Sequence, residues 1–148
     1  MSWFNGKRVI VPFDFSDECI SAVKMALQLA TRPDEVHVAH VLLNLPATDP
    51  AVIWDEGIDE RRKVVVRDAM EKRLAENGIE GVQINVSLGK PGRMIADLAE
   101  EIEAGLIVIP SHGYRGIRRF FLGSVAERVT QLSPCPVLVL KTKEPEAS

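Results

Sequence analysis

The sequence has few of the features that mark membrane, secreted or disulfide-rich proteins. Aromatic residues are 5% of its 148 residues and cysteine occurs twice. No apolar run approaches the roughly 18 residues that span a bilayer. The N-terminal stretch MSWFNGKR lacks the apolar core and the small residues of a secretory signal peptide. We therefore expect a cytoplasmic protein with no membrane partner.

The two cysteines form no recognisable motif. Cys19 falls in a helical pattern and Cys135 lies between two prolines. Neither belongs to a CxxC pair or has histidines at metal-ligand spacing. We expect reduced, partly buried thiols and no metal site built from them.

An excess of positive charge is also missing. The net charge of −3 and the pI of about 5.6 leave no basic field for DNA or RNA, so nucleic acid is not an expected partner. A hydrophobic fraction of 46% is that of a folded protein. The length favours one domain, residues 1–142, followed by a polar tail, residues 143–148, that we expect to be flexible.

Known catalytic motifs are absent. The sequence contains no GxSxG nucleophile elbow and no GxxxxGK[ST] phosphate loop. Without the lysine of that loop, a bound phosphate depends on backbone amides and arginines, and any ATP hydrolysis should be slow. Enzymatic activity stays an alternative, not the main expectation.

Short β-rich runs alternate with helical patterns along the chain. The predicted strands are residues 7–12, 35–42, 82–88, 106–109 and 137–140. The predicted helices are residues 17–30 and 60–77, a helix between the turn at 89–92 and Gly105, and residues 124–132. Residues 43–58 are predicted to be a long loop. This order predicts an α/β fold with an open, doubly wound, parallel five-stranded sheet in the order 3-2-1-4-5 and helices on both faces.

The segment from Leu106 to Arg128 has the pattern of an anion-binding site. A strand is followed by a loop with Arg115, Arg118 and Arg119 and then by a helix start. Ser124 and Glu127 have capping-box spacing, and Gly113 and Gly123 allow positive φ angles. Free amides at a helix start favour phosphate. The alternative is a surface loop with solvated arginines.

Ligands of open α/β sheets bind outside the carboxyl ends of the strands, where the strand order reverses. If the first and fourth strands flank that point, Pro12, Phe13 and Asp14 face the same crevice as residues 110–113, with His40 and Val41 beside them. His112 either meets a phosphate or shapes the loop, and Asp14 is either a ligand contact or a helix-starting acid. We expect His37 and His40 to be structural.

The last predicted strand, Val137 to Leu140, reads VLVL and ends the predicted sheet order. An apolar strand at a sheet edge is open to pairing with another chain, and proteins normally cover such edges. A two-fold partner that uses the same strand would cover it. We therefore expect a homodimer through this strand.

Several segments together resemble the universal stress protein family. They are VPFDFSD after the first strand, AHVL at the end of the second, LGSVAERV at the last helix start, and the closing SPCPVLVLK. The family motif is glycine, two residues, glycine, nine residues and Gly-Ser or Gly-Thr. Gly113 and Gly123-Ser124 match its second part, whereas Pro110 stands in place of the first glycine.

The resemblance implies binding of ATP, or of AMP or ADP. It implies that Asp14 meets the ribose and adenine side and that the backbone at Val41 meets adenine. It assigns Gly113, Gly123, Ser124 and Val125 to the phosphates, accompanied by Mg²⁺ or Mn²⁺ that Asp14 could contact. The remaining candidate binding residues are Pro12, Phe13, Pro110, Ser111, His112 and Arg115. Dimerisation through the last strand is also a family trait.

The function expected from this resemblance is that of an adenine-nucleotide-binding, dimeric stress-response sensor or switch. Two alternatives stay open. One is a nucleotide-free dimeric scaffold of the same family, in which Pro110 closes the pocket. The other is a slow ATPase or phosphotransferase that uses Asp14.

Overall fold

The computed structural model describes residues 6–111 and 122–141. The strands are β1 (Val9–Pro12), β2 (Val36–Leu42), β3 (Gln83–Leu88), β4 (Leu106–Pro110) and β5 (Val137–Leu140). The helices are α1 (Asp17–Leu29), α2 (Pro50–Trp54), α3 (Ile58–Glu76), α4 (Pro91–Glu101) and α5 (Ser124–Leu132), with a short 3-10 turn at Pro33–Glu35. In the described residues, no helix is long and apolar enough to cross a membrane.

The five strands form one parallel sheet in the order β3-β2-β1-β4-β5. This confirms the predicted fold class and strand order. The order reverses at β1, which lies between β2 and β4. Ligands of such sheets bind at this reversal, so the topology itself directs attention to the carboxyl end of β1.

Two hydrophobic clusters lie on opposite faces of the sheet. One joins β1 and β2 to α1 and α3 through residues such as Val11, Val23 and Met70. The other joins β1 and β4 to α4 and α5 through residues such as Ile10, Ile95 and Val129. Since β1 sends alternate side chains into both clusters, all four of its residues are buried, as its unbroken apolar sequence predicts.

Two segments differ from the prediction. Residues 43–58 are not all loop, because Asp49 caps a single helical turn, α2, by accepting a hydrogen bond from Ala51 N at 2.9 Å. One turn is too short to show a helical period. Helix α4 includes Pro91 at its first turn and ends at Glu101, before the predicted end at Gly105. Proline suits that first position because the amide it lacks would have no helical partner.

Candidate functional site

A pocket of about 190 Å³ lies at the carboxyl ends of β1, β2 and β4, between the N-terminal ends of α4 and α5. Its walls are mainly apolar, with a few polar groups among them. This combination is typical of small-molecule sites in proteins. The lining residues are Pro12, Phe13, Asp14, Cys19, Ala39, His40, Val41, Pro91, Ile95, Ile109, Pro110, Gly123, Ser124, Val125 and Ala126.

Eight residues singled out from the sequence line this one pocket. They come from four separate parts of the chain: Pro12, Phe13, Asp14, Val41, Pro110, Gly123, Ser124 and Val125. Ser111 is not in the pocket lining, and its backbone is fixed nearby: its N–H donates to Leu140 O at 2.8 Å and its carbonyl accepts from Gly123 N at 2.7 Å. His112, Gly113 and Arg115 lie outside the described residues, so their predicted roles stay predictions.

The loop after β1 is fixed by the Asp14 side chain. Its Oδ1 accepts hydrogen bonds from Ser16 N at 3.0 Å and from Cys19 Sγ at 2.8 Å. Ser16 in turn caps α1, because its hydroxyl oxygen accepts from Cys19 N at 3.2 Å. Between these residues Phe15 has a left-handed φ of 68°, a conformation that non-glycine residues seldom adopt without such constraints. The carboxylate is therefore held at the pocket wall by its own helix start.

Cys19 is a site residue that the sequence reasoning missed. Its thiol is buried, and burial together with the hydrogen bond to Asp14 raises its pKa to about 12. The sulfur therefore stays protonated near neutral pH and acts as a hydrogen-bond donor. Both Cys19 and Cys135 are free cysteines.

His40 lies at the pocket, as predicted for the end of the second strand, and its side chain also has the structural role expected for it. Its Nδ1 lies 2.6 Å from the carbonyl oxygen of Phe13. Its ring also meets Phe15 edge-on at 5.4 Å. His40 thus ties the end of β2 to the loop after β1 and lines the pocket as well.

His37 has the structural role predicted for it. It is not among the pocket residues, and its Nδ1 lies 3.1 Å from Asn85 Oδ1 on the neighbouring strand. Burial lowers the pKa of His37, while the bond to Asn85 partly opposes that shift. Among the residues that the structure describes, no group of three or more His, Cys, Asp or Glu side chains could hold a metal ion.

The start of α5 corrects the predicted capping box. The N-cap is Gly123, with no side-chain hydrogen bond, so Ser124 is already the first helical residue. Glu127 then falls one position too late for the box, and its N–H donates to Gly123 O at 2.8 Å. The φ of Gly123 is −60°, so the positive angle considered for it is not used. The N-cap residue itself therefore gives no side-chain hydrogen bond to the first amides of α5.

Pro110 lies in β4 and forms part of the pocket wall. The N–H groups of Ile107 and Ser111 donate to Pro136 O and Leu140 O on the β5 side. Because N–H directions alternate along a strand, an amide at position 110 would point toward β1, where proline has none. The paired register of β1 with β4 covers only Val9 with Leu106 and Ile10 with Ile107. The crevice between β1 and β4 therefore opens toward the pocket. Pro110 lines that pocket but does not fill it.

A second, more open cleft adjoins the pocket. It shares Pro91, Ser124 and Val125 with the pocket and adds Lys90, Gly92, Arg93 and Arg128. Gly92 lets α5 lie close to α4, because a Cβ there would be 2.5 Å from Arg128 Cγ. The cleft therefore places three cationic side chains beside the N-terminal ends of both helices.

Fold and pocket define an open parallel α/β domain with a ligand site at the reversal of strand order. The sequence pattern of the Universal stress protein family matches residues 6–141, and the chain belongs to that family. It is 34% identical over 148 residues to Universal stress protein MJ0531 of Methanocaldococcus jannaschii, covering 95% of this chain and 85% of that protein.

Solved structures of similar fold agree with this assignment. The structure of protein MJ0577 matches with a TM-score of 0.75 and 26% identity over 94% of this chain and 98% of the other. A universal stress protein in complex with cAMP matches with a TM-score of 0.60 and 24% identity over 93% of this chain and 98% of that chain. The second likeness supports the fold alone.

Proposed function

We propose that this protein binds an adenine nucleotide, ATP or a shorter relative, in the pocket at the carboxyl ends of β1, β2 and β4, and acts as a nucleotide-dependent switch. The observation that carries the proposal is the convergence on that pocket of an acceptor carboxylate, apolar walls and a helix start whose N-cap is a glycine without a capping side chain, contributed by Asp14, Val41 and Gly123 among others.

The chemistry of the walls suits each part of a nucleotide. Apolar side chains such as Phe13 and Ile95 offer surface for a purine ring, and the backbone at Val41 offers polar groups to its edge. A carboxylate such as Asp14 accepts hydrogen bonds from ribose hydroxyl groups. The first amides of α5 and its dipole favour phosphate at Ser124 and Val125.

The adjoining cleft with its cationic side chains indicates where the phosphate chain of the nucleotide would extend. Lys90, Arg93 and Arg128 lie next to Ser124, on the side of the pocket away from the sheet residues. Asp14 is the one carboxylate among the described residues of the pocket wall. A divalent ion such as Mg²⁺ or Mn²⁺ would therefore be held mainly by the nucleotide's own phosphates, with Asp14 as the protein contact.

The related structure in complex with cAMP bears on the choice of ligand class. It belongs to another universal stress protein with 24% identity, so its ligand is a property of that protein. Its value here is that an adenine nucleotide is compatible with the fold. The cyclic nucleotide is accordingly a ligand to be tested beside ATP, ADP and AMP.

We also propose that the protein forms a homodimer through β5. This strand lies at the edge of the sheet, and its Leu138 side chain is 37% exposed. Exposed apolar edge strands are normally covered by another element or chain. The β5 strand of a second copy could pair with this edge across a two-fold axis. The scaffold alternative keeps this dimer but needs no nucleotide.

The first test is mass spectrometry of nucleotide released when the purified protein is denatured, followed by thermal unfolding with added ATP and Mg²⁺. At about 100 times the dissociation constant, binding adds about 2.7 kcal/mol of stability, or roughly 5 to 10 °C for a chain of this size. Gly123→Val should remove that shift, because its side chain would stand over the first amides of α5.

A matched control is Thr130→Val on the exposed side of α5, which should keep the full shift. Valine can adopt the φ of −60° and ψ of 153° found at Gly123, so the first variant should still fold. Absence of released nucleotide together with no shift at millimolar ATP, ADP, AMP or cAMP would favour the scaffold.

A further inference from the structure

The side chain of Cys19 is in an unusual position for a cysteine with no redox partner. It lies in the first turn of α1, is 3% exposed, and still forms part of the pocket wall. Its sulfur is 2.8 Å from Asp14 Oδ1 and 3.5 Å from the carbonyl oxygen of Pro12. The thiol thus joins the end of β1 to the carboxylate that faces the site.

Asp14 Oδ1 accepts from two donors that belong to the same helix start. One donor is the backbone N–H of Ser16, which the fold of the loop provides whatever the side chains are. The other is the thiol, which depends on the residue at position 19. Two donors on one oxygen restrain the rotation of the carboxyl group more tightly than one of them alone.

The Cys19 thiol stays protonated and so remains able to donate its hydrogen bond to Asp14. Burial and the neighbouring carboxylate raise the pKa of Cys19 to about 12, so the S–H proton is present throughout the physiological range. A carboxylate can only accept hydrogen bonds, and the protonated thiol is the partner that matches it. The thiol therefore remains a hydrogen-bond donor between about pH 6 and 9.

We propose that Cys19 is a positioning residue of the pocket, whose thiol holds the Asp14 carboxylate in the orientation that selects ligands carrying ribose hydroxyl groups. This inference rests on the proposed function, because it concerns how the same pocket distinguishes nucleotides. Cys19 itself touches the carboxylate, and the selectivity is exerted through Asp14.

The test compares ATP with 2′,3′-dideoxy-ATP, which has no ribose hydroxyl groups, by calorimetric titration in Mg²⁺. The variants are Cys19→Ala, which removes the donor, and Cys19→Ser, which restores a shorter donor. Val23→Ala is the matched control, because it truncates another buried side chain of α1 in the same core cluster and is not among the pocket residues. Asp14→Asn, made in both the wild-type and the Cys19→Ala backgrounds, tests whether the two residues act together.

We expect Cys19→Ala to weaken ATP binding by about 3- to 10-fold while changing dideoxy-ATP binding less than about 2-fold. Cys19→Ser should recover part of the discrimination. Val23→Ala should leave the ratio of the two dissociation constants unchanged. In the Asp14→Asn background, Cys19→Ala should have no further effect on that ratio.

Other outcomes overturn the inference in distinguishable ways. Equal weakening of both ligands by Cys19→Ala would show that the thiol only supports packing. Unchanged affinity for both ligands would show that Asp14 needs no help from it. If the folded wild-type protein binds neither ligand, the proposed function fails as well.

Discussion

His40 Nδ1 and the carbonyl oxygen of Phe13 are 2.6 Å apart, which joins the end of β2 to the loop that leaves β1. A carbonyl oxygen only accepts hydrogen bonds, so Nδ1 carries the proton and donates it. In the neutral ring Nε2 is then an acceptor. Since both residues line the pocket, this bond fixes one wall of it and determines which nitrogen of the imidazole can accept a hydrogen bond.

Replacement of His40 should separate the structural from the binding role of its ring. His40→Ala leaves the Phe13 carbonyl without its donor and should lower the free energy of unfolding by about 1 to 3 kcal/mol. His40→Asn can place an amide N–H near the position of Nδ1 and should lose less than half of that. Urea unfolding followed by circular dichroism measures both. Equal losses in the two variants would show that the hydrogen bond is unimportant.

Pro110→Gly tests the effect of a proline at the position where the resemblance predicts a glycine. Glycine removes the ring from the pocket wall and adds an N–H on the β1 side of β4, so we expect ATP to bind about 3- to 10-fold more tightly. The folded state should lose at least roughly 0.5 to 1 kcal/mol, because glycine is more flexible when unfolded. Titration of both proteins with ATP gives the comparison.

The control for that variant is Pro134→Gly, an exposed proline that is not among the pocket residues. It should change stability by a similar amount without changing affinity. If Pro110→Gly binds ATP no better than the wild type, the proline is not what limits the site.

The outer edge of β5 can be altered without removing a hydrogen bond between β5 and β4. Pro136 O and Leu140 O accept hydrogen bonds from β4, so the backbone of the even-numbered residues faces β4 and that of Val139 faces outward. Val139→Pro should therefore leave the monomer folded but remove an edge donor and dissociate the proposed dimer. Sedimentation equilibrium measures the mass.

Leu138→Pro is the contrasting variant, because its N–H is directed at β4 and its loss should unfold the edge of the sheet. A Val139→Pro protein that is folded and still dimeric would place the dimer contact elsewhere. A wild-type protein that is monomeric at micromolar concentration would contradict the proposed homodimer.

The lowered pKa of His37 predicts a dependence of stability on pH. Its native pKa is below the ordinary value of about 6.5, so the unfolded chain binds the proton first as pH falls. The contribution of the neutral ring is fully present above about pH 6.5 and is lost as pH falls through the native pKa. As pH falls from 8 to 5, the wild type should thus lose stability relative to His37→Gln. A difference that is independent of pH would contradict this reading.

The fold was predictable because each strand and helix carries its own periodicity, and the sheet order follows from strict alternation. The pocket was predictable in part, since Asp14 and Gly123 stand at the ends of predicted elements. Cys19 was missed, and the bond from His40 to Phe13 was not predicted, because these contacts depend on how α1 is rotated and how β2 lies beside β1, which no local pattern encodes. The capping box failed by one residue: placing the N-cap at Gly123 moves Glu127 out of position.

The same limit applies to Pro110. Its presence in the motif was visible in the sequence, but the direction of its missing amide could be read only from the hydrogen bonds of Ile107 and Ser111. α2 was missed for a different reason, because a single turn held by Asp49 and Pro50 has no period to detect.

The most direct measurement of the central claim is calorimetric titration of the wild-type protein with ATP and Mg²⁺, with Gly123→Val titrated in parallel. We predict saturable binding of one nucleotide per chain in the wild type and no binding in the variant. Equal binding in both proteins, or no heat in either at millimolar ATP, would contradict the assignment of the nucleotide to this pocket.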